Sequence, residues 1–133
     1  MELREILQNS KFIVSENLYS VAQVTEECDF TKCFLVSRDE IEITVIYKQN
    51  ISIGGVLEEK RNYVLIGINV AVPFYAAGFI ATIGQCLAKQ NIPILVVSTY
   101  SRDYFLVSNS DLKNTIITLK TLGLEQLNDE VVS

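Results

Sequence analysis

Histidine is absent from all 133 residues. With it go the general base of a Ser–His–Asp triad and a common ligand of structural zinc. Cysteine is scarce. Cys28, Cys33 and Cys86 are an odd number with no CxxC pair, so no zinc site is read and no cofactor is expected. Reduced thiols fit the cytoplasm. Basic residues are outnumbered, with 11 Lys and Arg against 16 Asp and Glu for a net charge of −5. Lys11, Lys32, Lys48, Lys60 and Arg61 are scattered and form no stripe, so the phosphate contacts of nucleic-acid binding have no basic face to draw on. No uninterrupted apolar run reaches the roughly 18 residues that a membrane helix needs. The start Met1-Glu2-Leu3-Arg4-Glu5 lacks the basic region and apolar core of a secretory signal. No low-complexity segment occurs.

Apolar residues are plentiful at 49%, with 20% charged, which is the balance of a folded chain. The densest apolar stretch organises the rest. Residues 63–70 are almost unbroken β-branched and aliphatic, which predicts a buried strand ended by Pro73. Phe79, Ile80, Ile83 and Leu87 then recur at helical spacing, among the helix formers Ala76, Ala77, Ala81 and Ala88. Asn91 and Pro93 close that helix, residues 94–97 form a second buried strand, and residues 103–107 return after a polar turn at 98–102. A second helix follows, with Ser110 as N-cap, Leu112, Ile116, Leu119 and Leu122 as its stripe, and Gly123 after its end. Residues 124–127 supply a short last strand. Strand, helix, hairpin, helix and strand make a ferredoxin-like βαββαβ unit, an α/β sandwich of the α+β kind.

The string Ser98-Thr99-Tyr100-Ser101-Arg102-Asp103-Tyr104-Phe105-Leu106-Val107, spaced from Pro73-Phe74 and Gly78-Phe79-Ile80-Ala81, resembles the ACT domain family. It resembles most the small two-ACT stand-alone proteins and the CASTOR-type amino-acid sensors. The likeness extends more loosely to the first half. There, residues 19–24 and the hairpin Leu35-Val36-Ser37-Arg38-Asp39-Glu40-Ile41-Glu42-Ile43-Thr44-Val45 occupy the matching places. The resemblance implies tandem ferredoxin-like ACT domains, with antiparallel sheets and helices on one face, divided at 1–62 and 63–133. Read from the residues themselves, 11–14 form a first strand, 15–17 a turn and the partly alternating 19–24 a second strand. Ile41, Ile43, Val45 and Tyr47 alternate on one buried face. The exposed, turn-rich stretch 49–62, with Gly54-Gly55 and Glu58-Glu59-Lys60-Arg61, joins the halves.

Two features carry the functional expectation. The loop Pro73, Phe74, Tyr75, Ala76, Ala77 and Gly78 reads either as a strand-to-helix corner or as a helix start whose backbone N–H groups hold a carboxylate. Asp103, unusual at a strand start, either caps the Thr99-Tyr100 turn or offers its charge to a cationic group. The resemblance implies that these residues, with Thr99, Tyr100 and Arg102, line an amino-acid site. Ala76 stands where the arginine sensor has a glutamate, and Arg102 adds positive charge, so arginine itself is not implied. Tyr104 reads as a core or dimer contact. Ser98 has no partner base, and no carboxylate pair is set for acid–base work, so no reaction is expected. An acyl-phosphate hydrolase on this fold would need an arginine in the loop at 73–78 and an asparagine nearby. That loop has neither. The expectation is a non-catalytic regulatory or sensor protein that binds an amino acid or related metabolite. Because isolated sheets leave open edges, a homodimer is expected. The alternative is a ligand-free regulatory subunit of a biosynthetic enzyme.

Overall fold

Backbone pairing overrides local polarity in setting this architecture. The computed structural model describes residues 2–69 and 78–128. It runs α1 (Leu3–Asn9), β1 (Lys11–Val24), a 3₁₀ turn (Phe30–Lys32), β2 (Leu35–Arg38), β3 (Ile43–Lys48) and β4 (Val56–Asn69). There follow α2 (Phe79–Lys89), β5 (Leu95–Ser98), β6 (Asp103–Ser108), a second 3₁₀ turn (Asn109–Asp111), α3 (Leu112–Thr121) and β7 (Glu125–Gln126). The strands make one seven-stranded sheet in the order β2-β3-β1-β4-β6-β5, with β7 parallel to the start of β1.

The tandem two-domain arrangement is not evident: the strands form a single continuous sheet, because β1 and β4 each run the length of both halves. Lys11 to Val14 pair with 66–69 of β4, and 21–24 pair with its other end, 56–60. The expected turn at 15–17 is a register shift inside β1 rather than a break. Ser15 keeps the strand together there. Its hydroxyl accepts from the Leu65 amide at 3.1 Å and donates to the Asn17 carbonyl at 2.8 Å, standing in for ladder bonds. The expected linker at 49–62 ends as the first half of β4. Its charged side chains point outward while the backbone pairs, so composition concealed a strand. The Asn62/Tyr63 boundary falls inside β4, where Asn62 adopts φ 68 beside a shift in register, a conformation that asparagine tolerates.

Helical periodicity is realised in α2, whose Phe79, Ile83 and Leu87 are buried. With Ile6 and Leu7 of α1 and Leu112 and Leu119 of α3, they pack on Phe12, Val14, Val64, Ile66, Ile68, Phe105 and Val107. All three helices thus cover one face of the sheet's second half. Ile80 is partly buried against the same core. Ser110 is not the N-cap of α3; Asp111 takes that place without a side-chain cap, and the Ser110 hydroxyl lies 3.0 Å from that of Ser108. Gly123 adopts φ 109 after α3, as a helix stop requires.

Among the described residues the first half has no helical cover beyond the 3₁₀ turn. Its core of Ala22, Val24, Cys28, Ile43, Val45, Tyr47 and Ile53 packs against Phe30, Cys33 and Ile51 from the loops. The hairpin forms with Leu35 opposite Ile46 and Arg38 opposite Ile43. Ile41 is not part of its buried face but 87% exposed. The Asp39 carboxylate accepts from the amides of Ile41 and Glu42, both at 2.8 Å, which holds Ile41 in the turn.

Tyr47 ties this half together through a hydrogen bond from its hydroxyl to the Glu59 carboxylate. Burial, then that hydrogen bond and the charge behind it, push the Tyr47 hydroxyl from 10.0 up to about 12. Glu59 is held below its ordinary value by the same bond. A raised pKa in the folded state stabilises the protein below the unfolded value and loses that contribution on the way up. The thermal midpoint is therefore expected to fall between pH 10 and 12. Tyr47→Phe should be less stable at neutral pH, and its alkaline decline should be flatter. Parallel alkaline limbs in calorimetry would show that Tyr47 does not carry this dependence.

Candidate functional site

The antiparallel ladder brings three pieces of chain to one end of the sheet. The last residues of β4 lie beside the first of β6, with Ile68 opposite Asp103, and Ser98 of β5 is opposite Asp103 on the other side. Helix α2 begins after Gly78, where an added Cβ would lie 3.9 Å from the Leu3 side chain of α1. Gly78 adopts φ 84, a left-handed conformation open to glycine, and caps α2 without a side-chain hydrogen bond. The first amides of any helix have no partner within it, so this start presents donors toward an anion. Pro73, Phe74, Tyr75, Ala76 and Ala77 lie outside the described residues.

The β5–β6 hairpin fixes the other expected residues. The Thr99 amide donates to the Arg102 carbonyl at 2.9 Å, and its hydroxyl reaches the same oxygen at 3.3 Å. Tyr100 sits at the tip, 96% exposed. The Asp103 carboxylate accepts from the Ser98 hydroxyl at 2.6 Å. That bond braces the carboxylate across the hairpin and leaves it lone pairs for a second donor.

Strand alternation then separates two neighbours. Asp103 shares its parity with Phe105 and Val107 and so lies on the helix side. Arg102 goes to the opposite, helix-free face. There it lines a cavity of about 350 Å³ with Ile13, Glu16, Tyr19, Phe34, Leu65, Gly67 and Tyr104. Phe34 stands edge-on to Tyr104 at 5.0 Å and to Tyr19 at 6.1 Å between ring centres. Burial, and secondarily the hydroxyl of Tyr104, raise the pKa of Tyr19. Gly67 forms the floor. A Cβ there would lie 3.1 Å from the Tyr104 ring and 3.4 Å from Cδ of Arg102, so glycine is what lets both side chains fold over β4. The sequence carried one signal for this cavity, a lone glycine inside an apolar strand. Tyr19 and Phe34 are too distant in the chain to have been read with it. Among the described residues no cluster of metal-ligating side chains occurs, and no helix is long and apolar enough to cross a membrane.

This is an α+β fold, an antiparallel curled sheet with helices on one face. Residues 58–121 match the ACT domain family. No curated protein matches the chain. Among solved structures, a protein of unknown function from Vibrio cholerae superposes with a TM-score of 0.75 at 18% identity, over 91% of this chain and 95% of that one. A protein from Agrobacterium tumefaciens does so at 0.72 and 20% identity, over 93% and 96%. The ligand-free regulatory subunit of aspartate kinase from Thermus thermophilus follows the same fold at 0.61 and 8% identity, over 84% of this chain and 95% of that one.

Proposed function

We propose that this protein is a non-catalytic regulatory or sensor protein that binds an amino acid or a related metabolite at the end of the sheet. The observation that carries the reading is the Asp103 carboxylate braced by Ser98 at the sheet end, to which the reading adds the helix-start amides after Gly78. An amino acid offers the complementary groups, a carboxylate for the helix-start amides and an ammonium for Asp103. The loop residues Pro73, Phe74, Tyr75, Ala76 and Ala77, with Thr99 and Tyr100, complete the proposed site. The match to the ACT domain family over 58–121 supports a small-molecule regulatory role. The protein works in the cytoplasm as a homodimer, using the sheet edges that β2 and β5 leave unpaired.

Calorimetry against a panel of amino acids tests this. A charge-assisted hydrogen bond contributes about 1.5–3 kcal/mol, so Asp103→Asn should weaken the binding amino acid roughly ten- to a hundred-fold. Equal affinity for wild type and variant would remove Asp103 from the site.

A second reading, a ligand-free subunit of an enzyme complex, draws on one observation. Leu95 and Val96 on the edge strand β5 are 42% and 46% exposed, an apolar edge suited to a protein partner. Absence of binding by every amino acid would favour it.

A further inference from the structure

We propose that the cavity on the helix-free face is a second ligand site, built for a small monocarboxylate with a planar apolar body. It is separate from the site at the sheet end, since the sheet itself lies between Arg102 and Asp103.

The walls set the body of the ligand. Ile13, Leu65, Phe34 and the rings of Tyr19 and Tyr104 line an open depression, and two edge-to-face ring contacts leave flat faces and edges for a planar group. Its volume of about 350 Å³ falls within the range of small-molecule pockets. Arg102 sets the head group. Two ion pairs occur among the described residues, Arg38–Glu26 and Arg61–Glu59, so the Arg102 guanidinium has no carboxylate partner there. Its fork matches a carboxylate with two parallel donors.

The Tyr19 hydroxyl is the second polar anchor. The residue is only 8% exposed, yet no hydrogen bond to its hydroxyl is found among the described residues. That hydroxyl is not sealed from solvent but opens on the cavity, where an entering carboxylate oxygen would accept from it. Other polar groups of the lining are occupied: Ser15 is bonded on both sides, and the Asn128 amide is held by the backbone of Val14. Glu16 at the mouth limits the charge of the ligand. Its exposed carboxylate, weakened by solvent screening, opposes each negative charge in the cavity, while the single Arg102 guanidinium can offset one. A monocarboxylate is favoured over a dicarboxylate on that ground.

The probe is 3-phenylpropionate, titrated by calorimetry and followed by ring-proton saturation transfer. Neutral 3-phenylpropionamide and dianionic succinate are the comparators. Saturable binding of the carboxylate is expected, with the amide and succinate each at least about tenfold weaker. Arg102→Gln should reduce affinity roughly tenfold or more, and Tyr19→Phe by a smaller factor, both with unchanged thermal midpoints in the absence of probe. These readouts do not involve an amino acid, so failure here leaves the sheet-end reading standing, and failure there leaves this one. No saturable binding at millimolar probe overturns the proposal. So does equal binding of acid and amide, or Arg102→Gln binding as wild type does.

Discussion

Ile83→Asp is expected to abolish soluble, folded protein. Ile83 is fully buried, at 0% exposure, at the centre of α2's apolar stripe, with Phe79 one turn before and Leu87 one turn after. The core it enters joins all three helices to the central strands, and none of the buried residues of that core is charged. A carboxylate there has no counter-ion, and an uncompensated buried charge costs several kcal/mol, a large part of a small domain's whole stability. Ile83→Val removes one methylene from the same place and should cost about 0.5–1.5 kcal/mol. The pair separates charge from volume. Expression yield, circular dichroism and urea denaturation read both. A soluble Ile83→Asp protein with a wild-type melting curve would show that α2 does not pack by this stripe.

The second large effect is expected from adjacent glycines that the sequence presents as equals. Gly54 and Gly55 both adopt left-handed backbone, at φ 76 and φ 68. Either alanine replacement carries the left-handed penalty of about 1–2 kcal/mol. At Gly54 a Cβ meets nothing closer than 3.5 Å, so the penalty stops there. At Gly55 it would stand 2.7 Å from the Thr25 hydroxyl and 2.9 Å from the Cys28 amide nitrogen. The Thr25 side chain can turn aside; the Cys28 backbone cannot move alone. The Cys28 amide donates to the Thr25 carbonyl, and the Thr25 amide to the Gly55 carbonyl at 2.8 Å, so the loops over the first half's core are bound to one another. Gly55→Ala should therefore lower the urea midpoint by at least twice as much as Gly54→Ala. Equal shifts would mean that the two loops are not in this contact.

Those glycines also show where the sequence was readable and where it was not. Turn chemistry announced a loop at Gly54-Gly55, and period announced α2, because both are written in neighbouring residues. The strand that follows was hidden by Glu58, Glu59, Lys60 and Arg61, since side chains on an exposed ribbon need not alternate in polarity for its backbone to pair. Ser15, Glu16 and Asn17 looked like a turn for the converse reason. A hydroxyl taking over ladder bonds has no signature in composition. At the sheet end, the family resemblance implies that Asp103 and Arg102 share one site. Alternation along β6 sends them to opposite faces. Phe34, Tyr19 and Gly67 meet only through long-range pairing, which no local pattern specifies.

The double span of β1 bears on how this fold can be moved between proteins. The segment matching the family, 58–121, contains β4, β6 and β5 but not the strand that pairs with β4 on its other side. Phe12 and Val14 come from outside it, as does α1 above them. A fusion that carried 58–121 alone would start with a bare strand edge and a slot in its core where Phe12 belongs. Grafting this unit onto a foreign enzyme requires the opening fourteen residues to travel with it, as a covalent leader or as a separately supplied peptide.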